Sequence, residues 1–95
     1  MAMSGAGRRG DLCSGHEDSR PRPAAVGSAD VEVNDLPALR EGDGYGKHGT
    51  SAHKGKVSAG SSTVTFNDLP AARQGDPIDC GSRVDQASGD VFVGD

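Results

Sequence analysis

The chain has few of the large apolar residues from which a small domain builds its core. Val, Leu, Ile and Phe together number 15 of 95 residues, about 16%, there is no Trp, and there is one Tyr. So low a fraction is typical of disordered chains, but those also carry a high net charge, and the formal charge here is only −4. A short chain with so little core usually needs a metal, a disulfide or a permanent partner.

Three further absences exclude classes of protein. Basic residues clustered with aromatics are missing, so nucleic-acid binding is not expected. No apolar run approaches the roughly 20 residues of a membrane span, so we do not expect an integral membrane protein. The N-terminus lacks the apolar segment of a secretory signal, and we expect synthesis in a bacterial cytoplasm without one. In that compartment the two cysteines, Cys13 and Cys80, more often bind metal or stay reduced than form a disulfide.

An internal repeat organises the sequence. Residues 27–43 align without gaps on residues 60–76, and 11 of the 17 positions are identical. A truncated third copy, residues 87–95, ends the chain, and its missing second half resembles "RRGD" at residues 8–11. Read as a circle, the chain contains about three units, and its two ends lie inside one of them.

Each unit is predicted to form a β-hairpin. The runs 31–33 and 64–66 are rich in β-branched residues, and each leads into an Asn-Asp pair that tolerates the positive φ of a two-residue turn. A proline in the return strand marks it as an edge strand, and a Gly-Asp pair makes the next corner. With 15 Gly, five Pro and no sustained helical period, the sequence predicts an all-β fold of short strands and hairpins with pseudo-threefold repeats. We expect a flexible segment 1–7 and a single domain 8–95.

Each Gly-Asp corner is followed by a potential metal ligand. His16 and His48 lie five residues after the aspartates of the first two corners, and Cys80 lies four residues after the third. Pseudo-threefold packing would bring these positions together near the axis, and His53 would join them from the insertion between two units. Three imidazoles and a thiolate form a closed tetrahedral set typical of structural zinc. Such a metal supplies on the order of 10 kcal/mol of folding free energy.

Two other interpretations of these residues stay open. Each histidine taken alone is more often an exposed loop residue, and Cys80 could be a small buried hydrophobe. Three histidines and a water could instead form a catalytic zinc site, although a chain this small has little room for a substrate pocket. Cys13 lies in the same corner as His16, but its equivalent in the next unit is Tyr45, so we interpret it as a free cysteine outside the site.

The motifs of the repeat occur in a characteristic order. Residues 70–73 read "PAAR" and residues 37–40 read "PALR", accompanied by "GSSTVTFND", "GDPIDCGS" and a terminal "GDVFVG". From about residue 8 to the end, this set closely resembles the PAAR-repeat proteins, named for the proline-alanine-alanine-arginine motif. The chain departs from the family in having Asn-Asp where Asn-Gly is common, and Gly49 after His48 where cysteine is frequent.

The resemblance implies a small cone whose pointed tip is stapled by a metal on His16, His48, His53 and Cys80, with zinc expected and iron left open. It implies a structural protein, not an enzyme, that caps the trimeric β-helical spike of a contractile injection machine and sharpens it for piercing the target envelope. We expect one copy per trimer and transient contact with the envelope.

The resemblance leaves the kind of machine open. The protein would belong to the virion, at a contractile phage tail, or be secreted through a type VI secretion system, and the short, unadorned chain favours the phage. One alternative function is an adaptor at the spike tip that carries non-covalent effector cargo. A small metal-dependent hydrolase is the remoter alternative.

Overall fold

The computed structural model describes residues 4–15, 20–46 and 55–94, and within these ranges it contains strands and no α-helix. The described residues thus include no helix long and apolar enough to cross a bilayer. The strands are two residues each: β1 Ser4–Gly5, β2 Glu32–Val33, β3 Leu36–Pro37, β4 Thr65–Phe66, β5 Leu69–Pro70 and β6 Phe92–Val93. They confirm the predicted all-β fold.

Two of the three sheets are hairpins with two-residue turns. β2 pairs with β3 and β4 with β5, both antiparallel. The turn residues Asn34 and Asp35 have φ of 53° and 67°, and Asn67 and Asp68 have 55° and 66°. Positive φ at both central positions defines the type I′ turn, whose twist matches that of the flanking strands. The prediction that Asn-Asp forms a two-residue hairpin turn is therefore confirmed in both units.

The third sheet is formed by the two ends of the chain. β1 pairs with β6, with Ser4 opposite Val93 and Gly5 opposite Phe92. The Ala6 N–H donates to the Val91 carbonyl at 2.9 Å, and the hairpins make the same bond, Ala38 to Val31 and Ala71 to Val64, both at 2.9 Å. The circular arrangement of three units is thus confirmed. A domain boundary at residue 8 stays a prediction, and β1 lies on its N-terminal side.

A closed ring of backbone hydrogen bonds joins the units. Leu39 donates to Gly7, Gly7 to Ala72 and Ala72 to Leu39, each at 3.0 Å. Leu39 and Ala72 are fully buried, so this ring lies inside the molecule. A Cβ on Gly7 would lie 3.0 Å from Leu39 Cδ2, which explains why the large side chain of one unit faces glycine in another.

Each unit then turns through a corner built on an arginine and an aspartate. At Arg40–Asp43 the Asp43 N–H donates to the Arg40 carbonyl at 3.0 Å, and Gly42 between them has φ of 91°. Positive φ at this third position is the requirement of a type II turn. Equivalent corners, with glycine φ of 94° and 93°, occur at Arg8–Asp11 and Arg73–Asp76.

The core consists of two small layers on either side of the corners. At the hairpins, buried alanines and valines form one cluster: Ala6, Val33, Ala38, Ala71 and Val93. The second cluster, called here the cluster beyond the corners, combines Leu39 and Ala72, which lead into two corners, with residues that follow the corner aspartates: Cys13, Ala24, Tyr45, Val57, Ile78 and Val84. In the second cluster the residue two after each corner aspartate bridges to the neighbouring segment: Cys13 to Val84, Tyr45 to Ala24 and Ile78 to Val57.

Candidate metal centre

Of the four predicted ligands, Cys80 lies in the described part of the chain, and His16, His48 and His53 lie outside the described residues. Cys80 is half-buried and packs against the cluster beyond the corners. Neither Cys80 nor Cys13 is in a disulfide. The ligand set as a whole therefore stays a prediction, and the geometry available is that of Cys80 and of the segments flanking the histidines.

The segment that follows His53 runs directly against Cys80. A Cβ placed on Gly55 would lie 2.7 Å from the Cys80 sulfur and 2.6 Å from Ile78 Cγ2, so a side chain here would displace both. The next residue is held to the same corner: Lys56 N–H donates to Asp79 Oδ1 at 3.0 Å, and Asp79 N–H returns a bond to the Lys56 carbonyl at 2.9 Å. The backbone two residues after His53 is therefore fixed beside the sulfur.

The segment that precedes His48 is anchored to the same place. Tyr45 N–H donates to the Gly55 carbonyl at 2.8 Å, and Gly46 N–H donates to the Pro23 carbonyl at 3.0 Å. The described segments that flank residues 47–54 thus meet at Tyr45 and Gly55, next to Cys80.

The segment that precedes His16 lies on the chain that follows Cys80. Ser14 N–H donates to the Arg83 carbonyl at 2.8 Å, and Arg83 N–H donates back to Ser14 Oγ at 3.0 Å. The hydroxyls of Ser14 and Ser82 are 3.2 Å apart. The described residues that flank all three histidines therefore converge on the corner that carries Cys80.

Among the described residues there is no group of three or more His, Cys, Asp or Glu side chains that could hold a metal ion, and these residues enclose no pocket. Cys13 is fully buried in the cluster beyond the corners, where its sulfur accepts a bond from Arg22 N–H at 3.3 Å. Cys13 is thus a free cysteine, as predicted, and it is buried. Its place outside the metal site stays a prediction.

Sequence reasoning missed the role of the repeated arginine. Arg40 donates to the buried Asp43 carboxylate from its backbone N–H at 2.9 Å and from Nε at 2.9 Å and Nη2 at 3.0 Å. The hydrogen bond to Asp43 raises the pKa of Arg40 above its ordinary value. The sequence does contain a signal for this role, because an arginine lies three residues before each corner aspartate. The arginine of the Pro-Ala-Ala-Arg motif therefore stabilises the turn at its own corner.

Tyr45 was also not anticipated as a core residue. Its side chain is 1% exposed, and its hydroxyl has no hydrogen-bond partner among the described residues. Burial raises the pKa of Tyr45 well above its ordinary value, so it is a neutral phenol at physiological pH. With Cys13 and Ile78 it fills equivalent positions in the three units, where it acts as a packing residue.

Comparison with known proteins gives one family. A family model described as the PAAR motif matches residues 47–95, just over half of the chain. The matched range includes His48, His53 and Cys80 and the last corner. No curated protein matches the chain.

Proposed function

The chain belongs to the PAAR-motif family, whose members are spike-tip proteins of contractile injection systems, and from this membership we propose that it caps a trimeric β-helical spike. In this role it is a structural protein that sharpens the spike for piercing a cell envelope, with no catalytic step of its own. The observation that carries the proposal is the closed ring of backbone hydrogen bonds through Gly7, Leu39 and Ala72.

The ring joins the three units of one chain, so that a single chain presents three equivalent hairpins. A homotrimer offers three identical surfaces around its axis, and a single asymmetric chain can match them only through an internal threefold arrangement. The hairpins supply apolar contact surface, since Leu36 and Leu69 occupy equivalent positions and are 40% and 38% exposed. The trimer's symmetry makes the three docking orientations identical, so one copy of the chain suffices.

The proposal is tested by mixing the purified chain with the trimeric spike protein from the same genome. Native mass spectrometry should show one copy of the chain per trimer, at any excess of the chain. A spike that takes three copies, or forms no complex at micromolar concentration, would contradict it. Membership of the family supports a phage tail and a type VI secretion system equally, and neighbouring genes for tail or secretion components distinguish them.

We further propose that the tip holds a structural zinc ion on His16, His48, His53 and Cys80. Cys80 fits a ligand role because the residue is half-buried and its sulfur lies against the segment that follows His53. Imidazole and thiolate are the donors that structural zinc prefers. When bound, the ion would cross-link three loop segments that have little core of their own.

Replacing Cys80 with Ala tests the zinc proposal. We expect the Cys80→Ala variant to lose most of its zinc, measured by atomic emission on metal-loaded protein. We also expect it to lose more stability than the roughly 1–2 kcal/mol of a small buried truncation, because metal binding contributes folding free energy. Cys13→Ala is the matched control: it should lose only the truncation energy and keep full metal. A Cys80→Ala variant with full zinc and unchanged melting would remove Cys80 from the site.

A further inference from the structure

The hairpins of the molecule carry negative charge and no positive charge. We define the hairpin end as residues 4–7, 28–37, 61–70 and 88–94. These segments contain no Lys or Arg. They contain five carboxylates, all exposed: Asp30, Glu32, Asp35, Asp68 and Asp90.

The arginine that opens each corner is already engaged by the aspartate of that corner. Each is paired within its own corner: Arg8 with Asp11 and Arg40 with Asp43, both at 2.9 Å, and Arg73 with Asp76 at 2.8 Å. One further base, Arg9, is exposed in the first corner, and the other described bases lie on segments beyond the corners: Arg20, Arg22, Lys56 and Arg83. The corner guanidiniums also donate to Asn34, Asn67 and Gly94 of the hairpin end. The hairpin end itself supplies five carboxylates and no base, so the acidic excess of the described residues is concentrated there.

Exposed apolar side chains lie among these carboxylates. Asp35 precedes Leu36 and Asp68 precedes Leu69 in equivalent turns, and on the third sheet Phe92 is 52% exposed and Val91 37%. The hairpin cluster continues outward through Val31, Val64 and Phe66, which are only partly buried. The hairpin end is thus an apolar surface interspersed with negative charge.

At least two of the carboxylates are held ionised by their neighbours. Asn34 Nδ2 and Ser88 Oγ each donate to Asp90 at 2.9 Å, and these bonds lower its pKa. Asn67 and Ser28 do the same for the pKa of Asp30. Contact with a partner would therefore bring fixed negative charges close to the partner's surface.

We propose that the surface receiving the hairpin end is an apolar face bordered by Lys or Arg side chains. The inference rests on the proposed function, because that function makes the hairpin end the face that meets the spike. A neutral or acidic spike surface would leave the hairpin carboxylates desolvated or repelled, whereas basic side chains at the rim pair with them and speed encounter. The partner is thus the end of a trimeric spike with basic residues around an apolar centre.

The inference is tested with the spike protein from the same genome, by measuring Kd and association rate between about 50 and 500 mM NaCl. Salt screens charge pairs at a rim, so binding should weaken by roughly tenfold over this range, mostly through slower association. The charge-reversed variant Glu32→Lys should bind about fivefold or more weakly than the parent chain.

Two variants complete the test. Asp85→Lys makes the same charge change outside the hairpin end, on an exposed residue, and should leave Kd unchanged. Asp35→Asn with Asp68→Asn removes two charges while keeping residues that tolerate positive φ, and should flatten the salt dependence. Tight binding that is insensitive to salt and to Glu32→Lys would overturn the inference and leave the proposed function standing. Absence of any binding by the parent chain would overturn both.

Discussion

At the scale of single residues, the three corner aspartates are buried carboxylates that are each paired with an arginine. Asp43 is 5% exposed and accepts three hydrogen bonds from Arg40, whose Nη1 also reaches Asn67 Oδ1 of another unit at 3.1 Å. A carboxylate this buried is tolerated only when it is paired and hydrogen-bonded. The arginine therefore satisfies the corner and ties it to the neighbouring hairpin.

Asp43→Ala should destabilise the protein by about 2–3 kcal/mol, since it leaves the Arg40 guanidinium and N–H without their acceptor. Urea unfolding measures the difference. Asp85→Ala, at an exposed aspartate, is the control and should stay within about 0.5 kcal/mol of the parent. Equal losses in the two variants would show that the corner pair contributes nothing to stability.

At the scale of the element, the hairpin turns require residues that accept positive φ. Asp35 occupies such a position at 67° and Asp68 at 66°. The left-handed conformation is costly for most L-residues, less so for Asn and Asp, and free of side-chain strain for Gly. The aspartates are therefore compatible with the turn and are not its best residues.

Asp35→Val should cost about 1–2 kcal/mol, because a β-branched side chain is strained at positive φ. Asp35→Gly removes the strain and should be neutral or slightly stabilising. Thermal unfolding of the two variants, with Asp35→Asn as the conservative control, separates backbone conformation from loss of charge. If the Asp35→Val and Asp35→Gly variants unfold at the same temperature, the turn does not adopt this positive-φ conformation in solution.

The links between hairpins should make stability depend on acid pH. Because the hydrogen bonds from Asn34 and Ser88 place the pKa of Asp90 below its unfolded value of about 3.8, its contribution is present above that value. The contribution is lost as pH falls through the lower folded pKa. Asp90→Asn should therefore show a shallower loss of stability below about pH 4 than the parent, in denaturant unfolding at several pH values. If Asp90→Asn lost stability below pH 4 as steeply as the parent, folding would not favour the ionised form of Asp90.

At the scale of the whole molecule, the chain closes on itself through its two ends. β1 and β6 form the third sheet in the register of the two hairpins, and the adjoining Ala6 is fully buried. The third unit is therefore a hairpin without a covalent turn. The position of the break within the circle should be exchangeable among the three turns.

A circular permutant tests this equivalence. Joining residue 95 to residue 1 through a short Gly-Ser linker and opening the chain between Asn34 and Asp35 should preserve the fold within about 1 kcal/mol, because the opening falls in an exposed turn. Opening the chain between Gly42 and Asp43 should cost several times more, because it cuts a corner whose aspartate is buried. Both are compared by circular dichroism and urea unfolding. Equal stability of the two permutants would contradict the distinct roles of turn and corner.

The features that depend on local conformation were predictable from the sequence. Asn-Asp at two equivalent positions predicted the hairpin turns, and the Gly-Asp pairs predicted the corners, because positive φ restricts which residues can occupy a turn. The repeat offset predicted three units in a circle, and the likeness to PAAR proteins predicted the family. For the candidate site, the sequence proposed four ligands, of which only Cys80 lies among the described residues.

The contacts between residues far apart in the chain could be known only from the folded structure. Three such contacts join positions far apart in sequence. They are the hydrogen-bond ring through Gly7, Leu39 and Ala72, the pairing of β1 with β6, and the contact of Gly55 with Cys80. No local preference encodes such contacts, because they depend on which units become neighbours when the circle closes. Tyr45 illustrates the point: the repeat aligned it with Cys13, but that it packs in the core follows only from the contacts of the folded chain.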